Sequence, residues 1–433
     1  MSSFLKKELS LPRPRPKSEH EEGEEKTPFW KKEISLGRGD RAPRLTRAEK
    51  KAAAPKVKAA APKEKAEKPE KAPKAPRVRG GKNAIVGLKI GASQIAAARV
   101  ANNGSVELLQ VARQPLEPGL VVGGELQDAA ALSAALKSFF RKHKLPKRGI
   151  RLGIANNRIG VRIFELEGID DPKQLANAIR FRAQEVLPIP VDEAVLDYRV
   201  LDERTDENGM KVRRVLLVVA YRDLIERYVD ACRKAGLKLV GIDLEAFALL
   251  RALGGPPQEE RAKAATVAVA VGHDRSTLAV SDGHVCEFTR VLNWGGATVD
   301  ATVAEALQVE LAEAEAVKRT LSLRDETVPE GLSAQQASDA REAIRRTVWA
   351  FARELVSSLQ FYQSQPGSLE IAGLAVTGGS AHLPGLAEEL ATLIGVPVSV
   401  GDPLARVDVH EGVRADEHEL GSLAVAIGLG IED

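Results

Sequence analysis

The chain has 433 residues, 44% of them hydrophobic, and a formal net charge of +3, which supports a large core and more than one domain. Its two cysteines, Cys232 and Cys286, form no CxxC pair and the histidines do not cluster, which fits a reducing compartment and argues against a disulfide framework or structural zinc. No window reaches the roughly 18 consecutive apolar residues of a membrane span, and the basic, proline-broken start lacks the apolar stretch of a signal peptide.

The overall charge hides an asymmetry. Residues 1–82 hold 24 of the 63 Lys/Arg and 12 of the 60 Asp/Glu, so a basic arm precedes a mildly acidic body. The arm writes one phrase twice, "FLKKELSL" from Phe4 to Leu11 and "FWKKEISL" from Phe29 to Leu36. The apolar positions are Phe4, Leu5, Leu9 and Leu11 in the first copy and Phe29, Trp30, Ile34 and Leu36 in the second. Two copies on a tether read as two valences of one docking motif, and the alternating Glu-(Leu/Ile)-Ser-Leu ending suits strand addition to a protein partner. Few apolar residues per copy make a thin membrane anchor. Residues 37–82 are a Lys/Ala/Pro/Glu tract whose prolines and scarcity of large apolar groups predict a disordered, extended spacer. Glu64, Glu67 and Glu70, with no aromatics in the tract, favour a spacer over a nucleic-acid-binding arm.

From Ala84 the texture changes. "NAIVGLKIG" reads as a strand, and two further strands flank Asn103-Gly104, a hairpin signal. "DAAALSAALKSFFRKHK" has helical spacing, with Asp128 as its cap and a basic last turn. Strands return in "RGIRLGIANNRIGVRIFEL". A helix opens at Asp171-Pro172 and closes before Pro188; strands near 194–202 and 212–220 and a helix over 221–235 follow. After "GGPPQEERAKA" come three more strands, a largely helical stretch over about 298–366, a strand–turn–helix–strand unit at "IAGLAVTGGSAHLPGLAEELATLIGVPVSV", and a last helix over 419–430. Strand-rich starts followed by helices, seen twice, predict a two-lobed α/β protein.

Three glycine turns sit where strands end: "GLKIGAS" (87–93), "VAVGHDRST" (269–277) and "VTGGSAHLPG" (376–385). Two strand–turn–strand loops with small or hydroxyl residues can close on phosphates from both sides, and the third turn leads into a helix for which Pro384 suits the first position. His273 and His382 lie beside these turns without a Ser-His-Asp or Cys-His context.

In order and spacing these loops resemble the PilM family of type IV pilus assembly proteins, relatives of FtsA within the actin-like ATPase superfamily. The resemblance covers about residues 84–431 and rests on Gly87-Leu88-Lys89-Ile90-Gly91-Ala92-Ser93, on Ala270-Val271-Gly272 through Ser276-Thr277, on Phe288, Arg290, Gly295 and Gly296, and on Ala375-Val376-Thr377-Gly378-Gly379 to Leu386. It implies a two-lobed actin-like (ribonuclease-H-like) fold: a first lobe over 84–165, an inserted 1C-type αβ subdomain over 166–240, a return segment over 241–260, and a second lobe over 264–433. It implies ATP or ADP held by Gly87, Lys89, Gly91, Ala92, Ser93, Gly272, Asp274, Ser276, Thr277, Gly378, Gly379 and Ser380. It also implies a PilN-like bitopic membrane protein whose cytoplasmic tail docks near Phe164, Leu187 and Ile189, placing the chain at the inner face of the cytoplasmic membrane. The pilus motor ATPase or another platform protein is the expected partner of the arm repeats. The acidic end at Ile431-Glu432-Asp433, without a basic amphipathic helix, favours PilM over FtsA.

The pattern breaks at two positions. Where family loops carry the aspartates that hold hydrated magnesium, this chain has Lys89 and Ala270, and neither supplies the oxygen ligand a hard cation needs. Lys89 either neutralises phosphate directly or is a solvated loop lysine; Asp274 is the alternative carboxylate. The expectation is a nucleotide-responsive scaffold with a degenerate site. The competing readings are a working actin-like ATPase, an FtsA-like cell-division adaptor, and nucleic-acid binding through the arm.

Overall fold

The computed structural model describes residues 83–169, 171–186, 190–207, 209–254, 264–414 and 417–432. The arm repeats and the linker tract lie outside the described residues, as do Leu187 and Ile189.

Two sheets share one strand order. β1 (Ala84–Ile90), β2 (Gln94–Asn102) and β3 (Val106–Pro115) form an antiparallel meander, followed by the short ladder of β4 (Val121–Val122) and β5 (Glu125–Leu126) and by α1 (Ala129–Lys142). β6 (Arg148–Ile154) then returns parallel to β1. An inserted unit follows: β7 (Ile159–Glu167), α2 (Pro172–Val186), β8 (Ala194–Thr205), β9 (Lys211–Tyr221) and α3 (Arg222–Lys234). β10 (Lys238–Leu244) completes the parallel edge beside β6 and leads into α4 (Glu245–Leu253).

The second half repeats the plan. β11 (Ala265–Val271), β12 (Ser276–Ser281) and β13 (Cys286–Leu292) form the meander, α5 (Gly296–Leu307), α6 (Leu311–Thr320) and α7 (Ala334–Gln363) the helical stretch, and β14 (Ile371–Thr377) returns parallel to β11. α8 (Leu386–Ile394), β15 (Val398–Val400), β16 (Asp408–Val409) and α9 (Glu417–Gly430) finish the chain. The sheet orders are β10-β6-β1-β2-β3-β16 and β13-β12-β11-β14-β15, so β1 and β11, β6 and β14, and β10 and β15 are equivalent strands. This is the two-lobed α/β arrangement read from the sequence.

Central strands are buried on both faces and read as near-continuous apolar runs, "AIVGLKI" and "ATVAVAV". The 30-residue α7 starts with a capping box between Ser333 and Gln336 and lays Ala340, Ile344, Val348, Phe351 and Leu355 into the second core, where Phe351 stacks on Trp294 at 4.0 Å.

The inserted sheet, β7-β9-β8, packs α2 on one face through Leu175, Ile179 and Ala183 against Leu166, Leu196, Val215 and Leu217. Its other face, including Leu216, Val218 and Ala220, joins the first core with Tyr228 and Cys232 of α3.

α9 crosses back to close the first sheet. It lies so near β1 that a Cβ on Gly87 would fall 2.0 Å from Ala426 O, and so near α4 that a Cβ on Gly428 would fall 1.8 Å from Ala248 O. Buried guanidiniums satisfy carbonyls at and just past its end: Arg151 Nη1 donates to Leu429 O at 3.1 Å and Ile431 O at 2.8 Å, and Arg251 Nε to Gly428 O at 2.9 Å. Arg251 in turn pairs with buried Asp243.

Candidate functional site: a cleft bounded by three glycine turns

The equivalent meanders bring two equivalent hairpin turns to one place. In the first, the Gly91 N–H donates to Gln94 O at 2.9 Å; in the second, the Gly272 N–H donates to Arg275 O at 3.0 Å. The third turn follows β14, where Gly378 takes φ +104° and a Cβ would stand 2.1 Å from Val271 O, a position open to glycine alone. Together they border a cleft of about 440 Å³, the size range of small-molecule sites.

Most residues read from the sequence as a nucleotide site meet here: Lys89, Gly91, Ala92, Ser93, Gly272, Asp274, Thr277, Gly378, Gly379 and Ser380 all border the cleft. Gly87 and Ser276 do not. Gly87 is pressed against α9, and the buried Ser276 hydroxyl donates to Trp294 O at 2.7 Å. The third turn also differs in detail from the expected helix start at Pro384. Gly385 takes φ +89° tight against Leu323 and Arg324, so α8 begins only at Leu386 and Pro384 lies outside it.

The charged lining is paired almost throughout. Lys89 Nζ lies 3.2 Å from Glu245 Oε2, with the lysine side chain 19% and the glutamate 5% exposed. Lys89 is thus an ion-paired strand residue, only partly open to solvent. Lys318 Nζ lies 2.6 Å from Asp300 Oδ1, Arg319 pairs with Glu315 at 2.6 Å, and Arg113 pairs with Glu419 while donating to Ser422 Oγ at 3.3 Å. The Asp274 carboxylate accepts the Gly123 N–H at 3.0 Å. Beside it the Arg275 guanidinium packs against Gly124, occupying the space a Cβ there would take, and the Tyr228 hydroxyl donates to Gly124 O at 3.1 Å. Burial pushes the Tyr228 phenol well above its ordinary value.

Arg113, Glu245, Asp300, Glu315, Lys318 and Arg319 also border the cleft and belong to none of the sequence motifs. Glu315, Lys318 and Arg319 carry a local signal, the i, i+3, i+4 spacing that puts them on one helix face. Glu245 has none, because only the pairing of β10 with β6 brings it to the cleft.

These residues do not fit a magnesium ion. Lys89 and Ala270 occupy equivalent positions, each two residues before its turn glycine. Glu245 and Asp300 are matched by lysines, and Asp274 holds the Gly123 amide. Among the described residues no three His, Cys, Asp or Glu side chains gather to hold a metal.

A second groove, of about 330 Å³, runs where β7 of the inserted unit faces β13 of the second sheet. Each is the edge strand of its own sheet. Val161 and Arg162 border it on one side, Phe288 and Arg290 on the other, with Phe361 at the rim and 51% exposed. Arg214 of β9 ties the two sides together at 2.7 Å from Glu287. Phe164 is half-buried against the inserted unit's own core.

The family model described as Type IV pilus assembly protein PilM matches residues 87–433. Among solved structures, the PilM-PilN type IV pilus biogenesis complex aligns with a TM-score of 0.67 and 26% identity, covering 82% of this chain and 98% of that one. Cell division protein FtsA of Escherichia coli (strain K12) is 24% identical over 358 residues, 74% of this chain and 84% of FtsA. FtsA of Pseudomonas aeruginosa is 25% identical over 378 residues, 80% and 89% of the two chains. With the paired sheets, the inserted unit and the three glycine turns in place, and a family match across the whole body, the chain belongs to the PilM family of type IV pilus assembly proteins and has its actin-like fold.

Proposed function

We propose that this chain is a scaffold of the type IV pilus inner-membrane platform, on the cytoplasmic side. There it binds the extended N-terminal tail of a PilN-like bitopic membrane protein and takes ATP or ADP without efficient turnover. One observation carries the tail-binding part: two open sheet edges, β7 and β13, face each other across an apolar groove with basic flanks. An extended peptide entering there can pair with the outward-facing backbone of an edge strand and seat alternate side chains in the groove. The resemblance to a solved PilM-PilN complex supports the same partner class. Among the described residues no helix is long and apolar enough to cross a membrane; in this reading the membrane-embedded partner supplies the attachment.

The cleft supports nucleotide binding through its glycine turns and basic lining. Turnover also requires an ordered metal and an in-line water, and the carboxylates that would order them are already paired. The two arm repeats add a bivalent contact with another platform component, such as the motor ATPase. Piliation unchanged after deletion of residues 1–40 would remove that part of the reading.

The deciding experiment is capture of the full chain by a synthetic N-terminal tail of the neighbouring bitopic protein, with and without ATP. Specific capture supports the scaffold; its absence in both conditions rejects it.

A further inference from the structure

We infer that the cleft takes a nucleoside di- or triphosphate without a divalent cation, Lys89 acting as a built-in counter-ion that Glu245 holds in place. This rests on the reading of the cleft as a nucleotide site given above.

Three observations lead there. The first is the equivalence of the two hairpins: Lys89 stands at the end of β1 where Ala270 stands at the end of β11, and both border the cleft beside their turn glycines. A carboxylate at position 89 with a divalent cation bound would leave one net positive charge at that point. The ammonium supplies the same charge directly, as a three-proton donor that keeps donors for phosphate oxygens after one goes to Glu245.

The second is the placement of Glu245. It is the first residue of α4 and its side chain is only 5% exposed, so its carboxylate needs a partner, and Lys89 Nζ is 3.2 Å away. A divalent cation approaching Glu245 would meet that ammonium at close range in a partly buried site, where like charges repel strongly. The third is the opposite wall, where Lys318 and Asp300 form a second sequestered pair at 2.6 Å. Both buried carboxylates bordering the cleft are thus matched by lysines, and Asp274 is engaged with Gly123. The cleft keeps ammonium and guanidinium donors for phosphate, and its one other bordering glutamate, Glu315, is an exposed partner of Arg319 on the same helix face.

The test is equilibrium binding of ATP and of ADP to the full chain by calorimetry, in magnesium and in EDTA. The expected Kd values agree within about threefold. Glu245→Gln frees the Lys89 ammonium and removes a negative charge beside the phosphates, so binding in EDTA tightens a few-fold, a gain that adding Lys89→Met abolishes. The double variant Lys89→Met with Glu245→Gln leaves no orphaned carboxylate; it weakens binding in EDTA about tenfold while the thermal midpoint stays unchanged. Lys89→Asp restores a metal ligand and makes binding magnesium-dependent. A tenfold or greater loss when EDTA is added to the unaltered protein overturns metal independence and leaves the nucleotide site standing. Unaltered affinity in the double variant overturns the role of Lys89. Absence of any ATP or ADP binding overturns the inference together with the nucleotide reading, whereas the tail-capture experiment decides the scaffold reading separately.

Discussion

Asp274, at the tip of the second hairpin turn, accepts the Gly123 amide proton at 3.0 Å and so ties the second sheet's loop to the β4–β5 ladder of the first lobe. Arg275 drives the same contact deeper, since a Cβ on Gly124, at φ +79°, would stand 1.6 Å from its Nη1. The turn read from the sequence as a phosphate loop is also a latch between lobes. Gly124→Ala should therefore displace Arg275 and destabilise the fold by about 2–3 kcal/mol, measured by denaturant unfolding. Asp274→Ala, at an exposed contact, should leave global stability within about 1 kcal/mol and speed hydrogen exchange at Gly123. A magnesium-dependent ATPase rate that vanished in Asp274→Ala would instead make this carboxylate a metal ligand.

Gly87 leads to a second prediction. The motif places it in a phosphate loop, but its lack of a side chain serves α9, whose Ala426 carbonyl occupies the space a Cβ would take. Gly87→Ala should destabilise by about 3 kcal/mol through backbone displacement. Gly91→Ala, with 3.4 Å to the nearest atom, should change stability far less. Equal effects of the two substitutions in thermal unfolding would contradict the close α9 contact.

That contrast marks what was legible in the sequence. Elements with local signals were readable: Asp128 caps α1 by accepting from the Ala130 and Ala131 amides, and Gly104 turns the β2–β3 hairpin at φ +93°. The family resemblance implies a return segment over 241–260, whereas β10 and α4 run through Lys238–Leu253. β10 exists because β6 lies beside it from ninety residues earlier in the chain, with irregular register around Leu239 and Gly241, so no short-range periodicity announces it. Glu245 was missed with it. The glycine turns were visible as a set, but which glycine faces the cleft and which admits a helix depends on packing that spans the whole chain.

The pH dependence can be checked at His143. Burial first, and the neighbouring Lys142 charge second, hold its imidazole below the ordinary value of 6.5, and Nε2 is buried without a hydrogen-bond partner. Below that ordinary value the unfolded chain binds the proton more readily than the folded one, so stability falls as pH drops from about 6.5 toward the folded value. Denaturant midpoints at about pH 8 and about pH 5.5 should show the decline, and His143→Gln should reduce it. An unchanged slope in the variant would assign the decline to other groups.

Both thiols should be silent in the native protein. Burial pushes Cys232 up to about 12 and moves Cys286 further in the same direction, and both side chains are fully enclosed. Maleimide at neutral pH should modify neither until denaturant is added, after which both should react. Native labelling at either site, read by mass spectrometry, would reveal an opening of the core that this packing does not contain.

The groove between β7 and β13 gives the sharpest test of partner binding. Phe361 lies at its rim with its ring 5.7 Å from Phe288, and half of its surface is free, so replacing it removes apolar contact with an incoming peptide while leaving the core intact. Phe361→Asp should weaken binding of the PilN-like tail by about tenfold, since it removes an exposed aromatic contact and sets a charge against the apolar groove. Trp349→Asp is the matched control: it lies on the same helix, 52% exposed, beside Arg353 and away from the groove. If both substitutions weaken the tail equally, or only Trp349→Asp does, the peptide lies along the outer face of α7 and not between the two edges.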